Sequence, residues 1–202
     1  MTKDSEKGIP SPQEYLLDSR IFEFVGLPSD LVQQRIQLLS SVREAVPVRY
    51  RLGLIVGRFQ PVHYGHIFLI EQGFEVCDKI ILGIGSANVV NVDNPFPVSE
   101  IESLLKRALR EHGLTSRIAG VVRLNDMYND ELWAREVIQK TQSIGQIDVA
   151  ISHNPWTNRC LRKVGINVIE NFPLLDRDRL QGRTIRQILR DEGLLQRALE
   201  QT

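Results

Sequence analysis

The sequence predicts an α/β fold built on a parallel sheet, and three observations carry that prediction. From Tyr50 onward, short β-type apolar runs alternate with helical patterns. The runs are continuously apolar over four to six residues, as strands covered on both faces must be. A chain of 202 residues, 42% hydrophobic, can bury a sizeable core as one α/β domain with an appendage.

Each element follows in order. Residues 52–56 (LGLIV) form the first apolar run, followed by a loop and a helical segment near 65–76. Residues 79–84 (KIILGI) are the second run, followed by a helical pattern over 99–111. A strand-like segment over 118–124 precedes a helix over 130–141. Residues 148–152 are strand-like, 156–164 a short helix, 167–170 a strand, and a final helix starts at about Gly182. About five strands joined through helices imply a Rossmann-like, doubly wound parallel sheet.

The first 46 residues differ in character. Pro10, Pro12, Gly26 and Pro28 punctuate two short helical patterns, over 12–19 and 29–46. In the second, Leu31, Val32, Ile36, Leu38, Leu39 and Val42 recur at helical spacing, with Ser29 placed to cap the start. Such a helix could pack on the main domain, on another subunit or on a partner. The expected organisation is a helical N-terminal extension, 1–46, and a Rossmann-like domain, 47–202. The extension carries five basic and seven acidic residues, so the rest of this neutral chain is +2.

Composition excludes several classes of function. Equal numbers of basic and acidic residues, 25 each, leave no global field to hold nucleic acid or an anionic membrane. Any attraction for anions must be local. Cys77 and Cys160 are too few for a disulfide scaffold or a thiolate zinc site, and fit a reducing cytosol. The polar start MTKDSEKG lacks the apolar core of a signal peptide. The longest uncharged stretch, residues 80–92, is broken by Gly83, Gly85, Asn88 and Asn91 and is too short to span a bilayer. A soluble, cytoplasmic protein with neither nucleic-acid nor membrane partner is expected.

In an open parallel sheet, ligands bind beyond the carboxyl ends of the strands. After the first run the chain reads Gly57-Arg58-Phe59-Gln60-Pro61-Val62-His63-Tyr64-Gly65-His66. Gly57 permits a tight exit, and Gly65 lets backbone approach a ligand at a helix start, where unpaired N–H groups favour anions. Two imidazoles three residues apart, the Arg58 guanidinium and these amides describe a polyphosphate site. A bare HxxH pair also reads as a fragment of a metal site or as surface residues, but no third ligand lies near in sequence.

GRFQPVHYGH resembles the GRFQPxHxGH signature of the nucleotidyltransferase superfamily. The stretch from residue 53 to about 193 is similar to the archaeal-type nicotinamide-nucleotide adenylyltransferases, through Ile84-Gly85-Ser86-Ala87, Asn94-Pro95-Phe96, Asp126 with Leu132-Trp133, Ser152 with Asn154-Pro155, and Arg177-Asp178-Arg179 ahead of Gly182 and Arg186. The resemblance implies a nucleotidyltransferase-type fold. It also implies attack by the phosphate of nicotinamide mononucleotide on the α-phosphorus of ATP, giving NAD and pyrophosphate with Mg²⁺ accompanying ATP. His63 and His66 would then hold the ATP phosphates, Arg58 would bind the triphosphate, and Arg186 would close from the opposite side. Gly57, Phe59, Gln60, Gly65, Asn154, Pro155, Gly182, Arg183 and Thr184 would complete the ATP side; Ser86, Asp126 and Trp133 would serve the nicotinamide nucleotide, Trp133 by stacking on its ring.

Read as residues alone, Trp133 fits the core equally well, Asp126 could cap the following helix, and Asn154-Pro155 could be a simple turn. The chain also departs from the family pattern. Gln181-Gly182-Arg183-Thr184-Ile185-Arg186 replaces the usual Ser-Gly-Thr-x-Ile-Arg, and Phe96-Pro97-Val98-Ser99-Glu100-Ile101 replaces Phe-Thr-Ala-Gly-Glu-Arg. These changes leave room for nucleotidyl transfer to another phosphorylated acceptor, or for a silent nucleotide-binding regulator. Relatives of this type commonly form oligomers, which allows a homo-oligomer here. From residue 176 to 190, five arginines against two aspartates concentrate a local +3, expected to face Arg58 and the histidines.

Overall fold

The computed structural model describes residues 19–193 and 195. The helix expected over 12–19 lies outside them except for its last residue, Ser19, which opens a short helix α1 (Ser19–Glu23). Five strands form one parallel sheet: β1 (Tyr50–Gly57), β2 (Cys77–Ile84), β3 (Ile118–Arg123), β4 (Val149–Ile151) and β5 (Asn167–Ile169). Their order is β3-β2-β1-β4-β5. The chain steps outward from β1 through β2 to β3, then restarts on the other side of β1 with β4 and β5. The switch point therefore lies beyond the carboxyl ends of β1 and β4, where such sheets open a crevice.

Six helices follow the pattern of the sequence: α2 (Val32–Ala45), α3 (Tyr64–Val76), α4 (Val98–Glu111), α5 (Asp130–Thr141), α6 (Pro155–Lys163) and α7 (Gly182–Asp191). Successive strand residues point to opposite faces, and this alternation divides the core in two. Ile55, Ile80, Leu82, Val149 and Ile151 join α3, α4 and α7 in one cluster. Leu54, Ile81 and Ala150 join α5 and α6 in the other. Cys77 and Cys160 are buried and unbridged. Among the described residues no helix is long and apolar enough to cross a membrane.

The described part of the N-terminal extension packs on the main domain. Ile21, Val25, Leu31 and Val42 are buried in the same cluster as α3 and α4. Arg35 makes a two-pronged ion pair with Glu71 of α3, at 2.9 and 2.8 Å. Ser29 does not cap its helix; it opens a 3₁₀ turn (Ser29–Leu31) after Pro28, without a side-chain cap bond, and α2 begins only at Val32. Val32 and Ile36 remain exposed, so part of the expected apolar stripe faces outward.

Candidate active site

The motif loop is held from inside. At the end of β1 the Gly57 carbonyl accepts the Gly85 N–H at 2.9 Å, joining the loops after β1 and β2. Phe59 adopts a left-handed φ of 55°, and its buried ring lies 4.7 Å from that of His66. Gln60 is buried, donating to the Phe96 carbonyl at 2.7 Å and accepting the Phe96 N–H at 3.0 Å. Both ends of its amide are occupied, so this side chain acts as a strut under the loop.

His63 is the extended residue that precedes α3, and His66 lies one turn later. Their rings stack with centroids 3.8 Å apart. The His66 Nδ1 accepts the backbone N–H of His63 at 3.3 Å, which leaves its proton on Nε2. Burial holds both imidazoles well below the usual histidine range; His66 and Arg186 depress His63 further. The pair is therefore neutral near pH 7, each ring carrying one N–H. His63 is 5% exposed, and its Nδ1 has no partner among the described residues.

Gly65 also sits in a tight contact within the protein. A Cβ there would lie 2.4 Å from the Leu180 carbonyl and 2.9 Å from the His63 ring, so any larger residue would push the 176–182 loop away. Gly182, the first residue of α7, is tight but less so: a Cβ would meet Arg186 at 3.0 Å and the Gln60 carbonyl at 3.2 Å. The start of α7 is thereby pressed against the start of α3.

Arg186 is 6% exposed and donates from Nη1 to the Gln60 carbonyl at 2.7 Å, with Nη2 3.9 Å from Asp93. Its buried Nε has no partner among the described residues. Arg58 is exposed, its head on one long hydrogen bond of 3.4 Å to Asn94. Arg183 is exposed and Thr184 partly buried on the first turn of α7. The expected local +3 is only partly directed at the histidines. Arg179 is spent on Asp176 and Asp30, and Arg190 on the Val92 carbonyl.

A cavity of about 450 Å³ opens beside this assembly, lined by His63, Gly65, His66, Gln72, His153, Arg177, Gln181 and Gly182 together with four apolar side chains and Leu180. That volume suits a nucleotide. Arg177 belongs to the Arg177-Asp178-Arg179 match read in the sequence, whereas Gln72 and His153 were not singled out there. Gln72 is seven residues after Gly65 on one face of α3, and His153 follows β4 at the switch point; those two spacings were the available signals. Gln72 donates to the Pro173 carbonyl at 2.8 Å and His153 bonds the Phe172 carbonyl at 2.8 Å, so both also fix the loop after β5.

On the other side of the crevice, Ser86 donates to Asp126 at 3.1 Å, and Asn88 accepts the Asp126 N–H at 2.7 Å. The structure thus brings Ser86 and Asp126 together. Asp126 does not cap α5; Asn129 does, accepting from the N–H groups of Glu131 and Leu132. Trp133 is 2% exposed in the α5–α6 core, against Trp156 at 4.8 Å between ring centroids. The open ring face expected at Trp133 is thus absent, and Trp156, at 36%, is the exposed member of the pair. The oxygen of the Asn154 side chain caps α6 through the N–H groups of Trp156 and Thr157, with Pro155 at the first helical position. The Asn154-Pro155 pair is a helix start before it is a ligand loop.

Among the described residues no three His, Cys, Asp or Glu side chains cluster as a metal site would require. A family model described as cytidylyltransferase-like matches residues 54–159. The chain is 37% identical over 141 residues to the nicotinamide-nucleotide adenylyltransferase of Haloarcula marismortui, covering 69% of this chain and 71% of that protein. It is 38% identical over 136 residues to the enzyme of that name from Thermococcus kodakarensis, covering 67% and 70%. The fold is similar to a crystal structure of a bifunctional NMN adenylyltransferase/ADP ribose pyrophosphatase from Francisella tularensis, complexed with AMP and a Mn ion. The TM-score is 0.59 and the identity 22%, over 70% of this chain and 42% of that one. With the motif, the sheet order and these relatives in agreement, the chain belongs to the nicotinamide-nucleotide adenylyltransferase family.

Proposed function

We propose that the protein transfers the adenylyl group of ATP to nicotinamide mononucleotide. A phosphate oxygen of the mononucleotide forms a bond to the α-phosphorus, the bond from that phosphorus to the β-bridging oxygen breaks, and pyrophosphate leaves with the electron pair. The observation that carries this reading is the stacked, neutral imidazole pair at the N-terminus of α3, beside Arg186, Gly182 and a nucleotide-sized cavity.

The attacking phosphate is already an anion at neutral pH, so the protein needs no nucleophile and no base. Its work is alignment and the placing of donors where negative charge builds. In this reading the Nε2–H of His66 donates to a phosphate oxygen, His63 supplies a second imidazole, and Arg58 swings its guanidinium onto the triphosphate. Arg186 fixes the Gln60 carbonyl and so the loop that carries the histidines. Gly57, Phe59 and Gln60 shape that loop; Arg183 and Thr184, on the first turn of α7, face the leaving pyrophosphate. The Ser86–Asp126 pair receives the amide or ribose of the mononucleotide, and Trp156, with the buried Trp133 packed behind it, forms the aromatic wall beside it.

In this reading a divalent ion comes with the substrate as MgATP, beside the imidazole and guanidinium groups of the site. The partners in this account are small molecules, in a cytoplasmic protein. The test is to incubate the purified protein with ATP, Mg²⁺ and nicotinamide mononucleotide and to measure NAD and pyrophosphate in equal amounts. ATP binding without either product would leave a nucleotide-binding protein in its place.

A further inference from the structure

The segment upstream of β1 reaches the phosphate site directly. The first N–H of α3, on Tyr64, donates to the Phe24 carbonyl at 2.7 Å. The third, on His66, turns back to the His63 carbonyl at 2.9 Å. Between them, the Gly65 N–H finds no backbone acceptor among the described residues. Phe24 thus occupies one of the positions that an incoming anion would otherwise take and leaves the next one open.

The same segment holds the other jaw of the site. Asp30 accepts from Arg179 Nη2 at 2.8 Å, while Arg179 Nε bonds Asp176. Leu180, the next residue, carries the carbonyl that packs on Gly65, and its N–H returns to Asp176. The segment is itself anchored by buried Ile21 and Val25, by the bond from His112 Nε2 to the Val25 carbonyl at 2.9 Å, and by the Arg107 guanidinium 3.7 Å from the centre of the Phe22 ring. The segment itself lies upstream of residues 54–159, the part that the family model matches, and its bonds to Tyr64, His112 and Arg179 tie it to the rest.

We propose that residues 22–30 are a positioning clip for the triphosphate: Phe24 sets the approach to the start of α3, and Asp30, through Arg179, sets the distance of the 176–182 loop from it. The proposal rests on the adenylyl-transfer reading for its substrate. The clip touches the ATP side only, since Ser86, Asp126 and the tryptophan pair are held by other bonds.

Asp30 and Arg179 are exposed, so Asp30→Ala leaves the core intact. In the full-length protein, this variant is expected to weaken MgATP binding about fivefold by titration calorimetry, the scale of one exposed ion pair. The Michaelis constant for nicotinamide mononucleotide and the melting temperature should stay unchanged, and Asp30→Glu should restore the affinity. Val25→Ala, which loosens the anchor of the Phe24 carbonyl, should also weaken MgATP without touching the mononucleotide. Wild-type MgATP affinity in Asp30→Ala, or equal weakening of both substrates, overturns the clip. Wild-type protein that binds MgATP but forms no NAD sinks the adenylyl-transfer reading alone, because the clip is read by binding. Wild-type protein that binds no MgATP sinks both.

Discussion

Replacing His66 by alanine removes an N–H donor from the point where the transferring phosphoryl group gathers charge. Loss of one such donor costs two to three orders of magnitude in turnover, and about that fall is expected in kcat for His66→Ala; near-normal turnover would remove the role. Trp133 needs a different experiment, because it is core. Trp133→Ala is expected to cost about 3–5 kcal/mol of stability in a denaturant titration, so a changed Michaelis constant in that variant reports damage. Trp133→Phe keeps the volume closer and isolates any effect on the mononucleotide. At this scale the motif was legible as a set of residue types, and the imidazole pair stands together as the spacing implied. What sequence did not reveal was which residues spend their bonds on one another. Gln60 is taken by Phe96, Gly65 by Leu180 and Asn154 by the start of α6, all through partners remote in sequence or through a cap that reads like a turn.

Elements were read well because their physics is local. Buried apolar runs gave β1, β2 and β4, while the edge strands β3 and β5, which hold no buried residue, were read from β-type residues alone; β3, β4 and β5 differ from the expected limits only at end residues. Caps were harder: Asn129 and Asn154 cap α5 and α6, whereas Ser29 makes no cap bond because the chain enters a 3₁₀ turn first. The packing of α7 on α3 depends on a long return from β5 that no periodicity records. Gly65→Ala tests that packing. Its Cβ would sit 2.4 Å from a backbone carbonyl, so the 176–182 loop must move. The expected cost is about 1–3 kcal/mol of stability, with MgATP affinity reduced and the mononucleotide constant spared. A variant with wild-type stability and affinity would show that the contact carries no strain.

For the whole molecule, neutrality of the imidazoles has a consequence for pH. Their folded-state affinity for protons is below the unfolded value near 6.5. Below that pH the unfolded chain takes up protons that the folded chain refuses, so this contribution is intact above about pH 6.5 and is lost as pH falls. Burial raises the Glu100 carboxyl to about 7, which works in the opposite sense, with stability lost as pH rises through that value. A comparison with the double variant His63→Asn, His66→Asn cancels the Glu100 effect. Denaturant midpoints at pH 5 and 7.5 should fall more on acidification in the wild type than in the double variant; equal falls would mean that the pair is ionised when folded.

Zero net charge excluded a broad polyanion binder, and the structure adds that even the arginine-rich 176–190 segment is partly neutralised by Asp30 and Asp176. In the adenylyl-transfer reading, the site would attract its anion with N–H groups and few cations. The central claim is that the α-phosphorus of ATP is the atom transferred to nicotinamide mononucleotide. It is tested by reacting the purified protein and the mononucleotide with ATP carrying ³²P at the α position and, separately, at the γ position. The α label is predicted to appear in NAD and the γ label in pyrophosphate. Label remaining in ATP, or α label released as AMP with no labelled NAD, would contradict the account.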